Sequence, residues 1–192
     1  MQIKNTSPQR RLTNYHAKQG GFTLIEILVV MVIIAILVTL GIGGFSSSQE
    51  KGRDARRKGD LRAVAEALEV YYNDKGEYPT SDTGQIEVNG TGGSTIVPWG
   101  TQFSDPDVAT TVYMVKLPQD PSGAQMYFYD SDGVSFQLYA RMENDLDRDV
   151  PTSSGVPQVY STTTCTASGA ECNYGISSSD ITPADGHSLA AE

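Results

Sequence analysis

From Ile27 to Leu40 every position of the chain is apolar except Thr39. Widened to Phe22–Phe45, the stretch has 24 residues and one charge, Glu26. As a helix it would measure about 36 Å, enough for a hydrocarbon core of about 30 Å, so a membrane span is expected over 22–45. Beyond it the apolar positions thin into a stripe. Leu61, Val64, Leu68 and Tyr71 recur at steps of three and four, with Ala65 and Tyr72 beside them and charges on the other face. This predicts an amphipathic helix over 46–76, continuous with the span. Asn73, Asp74 and Gly76 supply the stop, and Pro79 follows. Gly41, Gly43 and Gly44 are the weak point of the long helix, each costing about 1 kcal/mol relative to Ala. Close packing of small residues is the competing reading of that cluster.

The pattern changes after Pro79. Residues 80–112 are rich in Gly, Thr, Ser, Asp and Pro and read as a long surface loop with short strands at most. "AQMYFYDSDGVSFQLYARME" holds two aromatic and β-branched runs around "DSDG", a hairpin signal. Residues 144–192 are polar, with a cysteine loop and a Ser/Ala tail. The expected fold class is α+β: a long N-terminal helix whose amphipathic half packs on a small antiparallel sheet. The expected organisation is a leader over 1–21, the span over 22–45 and a soluble head over 46–192, in which 77–192 hold loop, sheet and cysteine region.

Charge sharpens this picture. The chain has 192 residues and a formal charge of −9. Residues 1–21 carry Lys4, Arg10, Arg11 and Lys18 and no acid, which marks a leader held in the cytoplasm. The acidic head argues against nucleic acid as the main partner, because phosphate binding needs concentrated Lys and Arg. Lys51, Arg53, Arg56, Arg57, Lys58 and Arg62 crowd one stretch of helix. Pairing with acids of adjacent subunits is the first expectation for them, ahead of lipid headgroups or DNA. Cys165 and Cys172 have six residues between them. In an oxidising compartment that spacing can close a disulfide, against the alternative of two free thiols. Asp145, Asp147 and Asp149 alternate in "ENDLDRDV", a candidate calcium loop weighed against a solvated acidic turn. The EF-hand pattern fails there, since Val150 and Val156 stand where Gly and Glu belong. Asp130 and Asp132 read as turn residues. No nucleophile–base spacing supports catalysis, and no cofactor is required.

"KQGGFTLIEILVVMVIIAIL" resembles the class III signal of type IV prepilins and type II secretion pseudopilins. "ARRKGDLRAVAEALEVYYNDKGEYP" and "LPQDPSGAQMYFY" extend the likeness to the head of major pseudopilins. The resemblance implies a pilin-like fold, cleavage after Gly21 by a prepilin peptidase, and methylation of the new N-terminal Phe22. It implies that Glu26 meets the Phe22 amine of a neighbouring copy during assembly; a pair within one subunit, or a tolerated charge, is the alternative. It also makes a calcium site near the C-terminal sheet an expectation. The partners implied are copies of itself in a helical filament, the peptidase and methylase, the membrane and an inner-membrane assembly platform. The precursor would sit in the cytoplasmic membrane with its head outside, and the assembled filament at the cell surface. A type IV pilus subunit is the first functional reading, the longer leader leaning that way. A pseudopilin of a secretion or DNA-uptake filament is the alternative, and a membrane-anchored surface enzyme or binding module the remoter one.

Overall fold

The computed structural model describes residues 21–108 and 110–191, without the side chains of 40–45. Residues 1–20 of the leader expected over 1–21 therefore lie outside the described residues, as do the side-chain surroundings of the expected weak point at Gly41, Gly43 and Gly44. The chain divides into two units, Met1–Gly43 and Gly44–Glu192.

One helix, α1 (Leu24–Lys75), enters both units. From Leu24 to Val38 its large apolar side chains are all exposed, from Leu24 at 84% to Val29 and Ile34 at 48%. Among the described residues no helix is long and apolar enough to cross a membrane; the expected span also includes residues 40–45. In the second unit α1 is amphipathic as its stripe dictates. Leu61, Val64 and Leu68 are fully buried, and Tyr71 nearly so. The helix stops at Gly76, whose φ of 79° is left-handed. Its N–H donates to the Tyr72 carbonyl at 2.7 Å, the single-bond glycine cap, and Lys75 lies in the last turn, where a cation suits the helix dipole.

The region expected as a loop over 80–112 is folded. A meander of β1 (Thr80–Asp82), β2 (Gln85–Gly90) and β3 (Gly93–Val97) is followed by a short pair, β4 (Phe103–Ser104) and β5 (Val112–Met114). Between β1 and β2 the two turn residues Thr83 and Gly84 both have positive φ, 48° and 82°, as a tight hairpin turn requires. Gly84 is needed twice over, because a Cβ there would lie 2.5 Å from the Phe128 ring.

The hairpin forms from β6 (Phe128–Ser131) and β7 (Phe136–Ala140). Asp132 shapes the turn, accepting from the Val134 and Ser135 amides, both at 2.9 Å. Asp130 belongs to β6 and holds Ser81 at 2.7 Å, which corrects its reading as a turn residue. The polar tail is also structured. β8 (Thr152–Ser153), β9 (Val156–Tyr160) and β11 (Leu189–Ala191) form one sheet, and β10 (Tyr174–Ser177) pairs with β7. With neighbours on both sides, β7 is buried at all five positions.

The helical stripe shares one core with Ile86, Phe103, Tyr127, Tyr129, Phe136 and Leu138. Aromatic rings join its parts: Tyr71 stacks on Phe103 at 5.5 Å, and Tyr78 meets Phe136 edge-on at 4.9 Å. A second cluster gathers Tyr139 and Tyr160 around Cys165 and Cys172. The fold is α+β, helix on small antiparallel sheets.

Candidate functional site: the helix start and the charged helix–loop clamp

The chain from Gly21 to Thr23 has no regular structure, and α1 begins at Leu24. Thr23 is the N-cap. The Glu26 Oε2 accepts from the Thr23 amide at 2.8 Å and from the Thr23 hydroxyl at 2.7 Å. In return the Glu26 amide donates to the Thr23 hydroxyl at 3.3 Å. This reciprocal arrangement is a capping box, which satisfies helix-start donors that otherwise lack partners. The carboxylate also sits at the positive end of the helix dipole. Glu26 is thereby held at the tip of an apolar rod, close in sequence to exposed Phe22 and Gly21. Sequence reasoning overlooked Thr23, although "TLIE" ahead of an apolar run is the signature of such a box.

A second charged group lies in the head. Arg57 is fully buried, with Asp54 and Asp120 almost so. The Arg57 guanidinium donates to Asp120 Oδ2 at 2.6 Å and Oδ1 at 2.9 Å, a two-point fork, and to Asp54 Oδ1 at 2.7 Å. Its Nη2 also pairs with Glu143 Oε1 at 2.8 Å. Arg53 grips the same Glu143 through Nε at 2.7 Å and through a second bond from Nη2. Asp54 accepts from the Glu143 and Asn144 amides, both at 3.0 Å. One turn of α1 thus fastens the segment before β6 and the chain leaving β7. Burial alone would lower the Arg57 pKa; its bonds to Asp120 and Glu143 outweigh that and raise it. Asp120 is held below the usual carboxylate range despite burial, by Arg57 and Ser122. Glu143 is held low by Arg53 first, against burial, and then by Arg57.

For four of the six bases the expectation of acids from adjacent subunits is thereby corrected. Arg53, Arg56, Arg57 and Lys58 all pair within this chain. The reason is geometric: loop acids fold back onto the turn that carries Arg53, Arg57 and Lys58, and Arg56 pairs along the helix with Asp60 at 3.6 Å.

The three aspartates of the candidate calcium loop do not converge. Lys58 Nζ lies 2.6 Å from Asp147 Oδ1 and 2.7 Å from Asp149 Oδ2, while Asp145 accepts from Asn173 Nδ2 at 3.2 Å. Among the described residues no cluster of three metal-ligating side chains is present. A tethered ammonium supplies the positive charge that two neighbouring carboxylates require. Burial would lower the Lys58 pKa, but its bonds to Asp147 and Asp149 raise it. Cys165 and Cys172 are joined in a disulfide with Cα atoms 5.2 Å apart.

Comparison with known proteins bears on the same segments. The family model described as the prokaryotic N-terminal methylation motif matches residues 16–42. The type II secretion system core protein G of Pseudomonas aeruginosa is 35% identical over 127 residues, 64% of this chain and 82% of that protein. Those of Vibrio cholerae (34% over 116 residues, 60% and 73%) and Escherichia coli (33% over 106 residues, 55% and 68%) are similar in the same way. No solved structure matches. With these relatives, an apolar helix capped by Thr23 and Glu26 and an α+β head mark a pilin-like filament subunit, a structural protein and not an enzyme. The chain belongs to the type IV pilin and type II secretion pseudopilin family.

Proposed function

We propose that this chain is the repeating subunit of a pilus-like surface filament, assembled through its N-terminal helix after a prepilin peptidase cuts between Gly21 and Phe22. One observation carries the reading. Every large apolar side chain from Leu24 to Val38 is exposed in the isolated chain. A helix apolar all round must be buried, and lipid before assembly and copies of itself afterwards are the two environments that can cover it. The motif match supports the cut and N-methylation of Phe22. Residues 22–45 serve as the membrane anchor of the precursor, with the head outside and an inner-membrane platform extracting subunits. Glu26 pairs with the Phe22 amine of a neighbouring copy, each charge offsetting the other's cost in an apolar setting.

A second reading follows from the names of the relatives, all type II secretion system core proteins: the filament works inside the envelope in protein secretion. Deleting the gene and then shearing cells separates the two. Loss of long surface fibres containing this chain, with secreted proteins unchanged, supports the first reading; loss of secretion without loss of fibres supports the second. Mass spectrometry of the mature chain should give Phe22 as its methylated N-terminus. An N-terminus between 44 and 48 would overturn both.

A further inference from the structure

Two asparagines of the chain begin the triplet Asn-x-Ser/Thr: Asn5–Thr6–Ser7 and Asn89–Gly90–Thr91. That triplet is the acceptor pattern for N-glycosylation where it stands on the surface of an exported chain. Asn5 belongs to the basic leader, which its charge holds in the cytoplasm. Asn89 belongs to the head. Side chains of β2 alternate between the two faces of the sheet: Ile86 and Val88 are buried and Asn89 is exposed. Asn89 stands opposite Ser94 of β3, itself exposed. Among the described residues no group holds its side-chain amide by a hydrogen bond.

The surrounding hairpin leaves room for a large substituent. Gly90 pairs with Gly93, so Thr91 and Gly92 form a two-residue turn. Both turn residues are exposed, and a Cβ at Gly92 or Gly93 would meet nothing within 4 Å. Gly90 is the tight position, where a Cβ would lie 2.9 Å from the Pro106 ring. The middle of the triplet is thus fixed by packing while its two ends face solvent. The Thr91 amide donates to Asp107 Oδ1 at 2.8 Å, and the Thr91 hydroxyl donates to the same oxygen. A transferase that reads this hydroxyl needs it free, so transfer precedes the Asp107 contact, as the head emerges and before the hairpin closes. Glu87 lies two residues ahead of Asn89 on the same strand face and accepts from the Ser94 hydroxyl at 2.5 Å.

We propose that Asn89 is a modification site, carrying an N-linked oligosaccharide on its Nδ2. The proposal rests on export of the head, as in the function proposed above. The donor is an oligosaccharide on a polyprenyl diphosphate carrier. A bond forms from Asn89 Nδ2 to the anomeric carbon, and the bond from that carbon to the diphosphate oxygen breaks. The carrier leaves as its diphosphate, the amide nitrogen gives one proton to a base of the transferase, and nothing is oxidised or reduced. Glu87 supplies the acidic neighbour that many prokaryotic transferases of this class select. The attached glycan stands against β3, the outer strand of its sheet, which is exposed from Gly93 to Ile96. Bare outer strands are templates for pairing with other chains, and a bulky hydrophilic group beside one hinders that pairing.

The test is mass spectrometry of the mature chain purified from its own cells. Trypsin should release Gly76–Lys116, in which Asn89 is the single asparagine. Electron-transfer fragmentation should place a saccharide mass on Asn89. The N-terminus read from the same sample reports separately on the filament reading. Asn89→Gln and Thr91→Ala should each lose the saccharide completely, and Thr91→Ser should keep it, because the hydroxyl is what the triplet requires. A bare Asn89, or one changed only by deamidation to Asp, beside a methylated Phe22 would overturn this proposal and leave the filament reading standing. A saccharide on Asn89 beside an N-terminus between 44 and 48 would do the reverse. A saccharide found on Ser94 or Thr95 instead, or one retained in full by Thr91→Ala, would also overturn the proposal.

Discussion

Glu26 has two separable properties, an oxygen that caps the helix and a charge. The cap needs only an acceptor within reach of Thr23, and Gln serves a capping box as well as Glu does. Glu26→Gln therefore keeps the helix start and removes the charge, while Glu26→Val removes both. Filament yield should collapse in both variants, with membrane levels of the subunit unchanged. Losing one partner of a desolvated pair costs about 3–5 kcal/mol, a factor of several hundred or more in each subunit addition. Normal filaments from Glu26→Gln would show that the cap is the whole role of this residue. The odd charge in an apolar run was conspicuous in the sequence. Its intramolecular partner lies three residues back, an uncharged hydroxyl that carries no such mark.

At the scale of the element, α1 is fastened to its loops by charge as well as by its stripe. Arg57→Met keeps the volume and leaves Asp54, Asp120 and Glu143 without their common partner. The expected cost is about 3–5 kcal/mol, or on the order of 10 °C in the melting temperature of a head this size. An unchanged melting temperature would mean that the cluster is neutral to folding. The acidic loop yields a different expectation. With Lys58 between Asp147 and Asp149, a chelator should leave thermal stability unchanged, and Lys58→Met should lower it by about 1–2 kcal/mol. Stabilisation of the native chain by added calcium would refute this. The stripe of α1 could be read because helix periodicity is local. The clamp could not, because Asp120 stands 63 residues from Arg57 and nothing local marks the pair. The strands of 80–112 and 144–192 were hidden by their brevity, two to six residues each, between turn residues that dominate the composition.

For the whole molecule the acids set the response to pH. Asp120, Glu143, Asp147 and Asp149 are all held below their ordinary values by bonded cations. Unfolded carboxylates titrate near about 4. A depressed folded value means that these groups stabilise the fold fully above that range, and that their contribution is lost as pH falls through the folded values. The melting temperature should therefore be level near neutrality and fall below about pH 4. Asp120→Asn and Glu143→Gln should each flatten the fall while lowering the plateau. Thermal unfolding followed by circular dichroism checks this, and a melting temperature that rises into acid would contradict it. The capping box has one more consequence for the molecule as a whole. Thr23 and Glu26, which make all its bonds, lie downstream of Gly21. Hydrolysis at Gly21 would take the formal charge of the chain from −9 to −13, with the Phe22 amine replacing that of Met1, and break none of those bonds. Maturation would then be an electrostatic edit that leaves the helix cap in place.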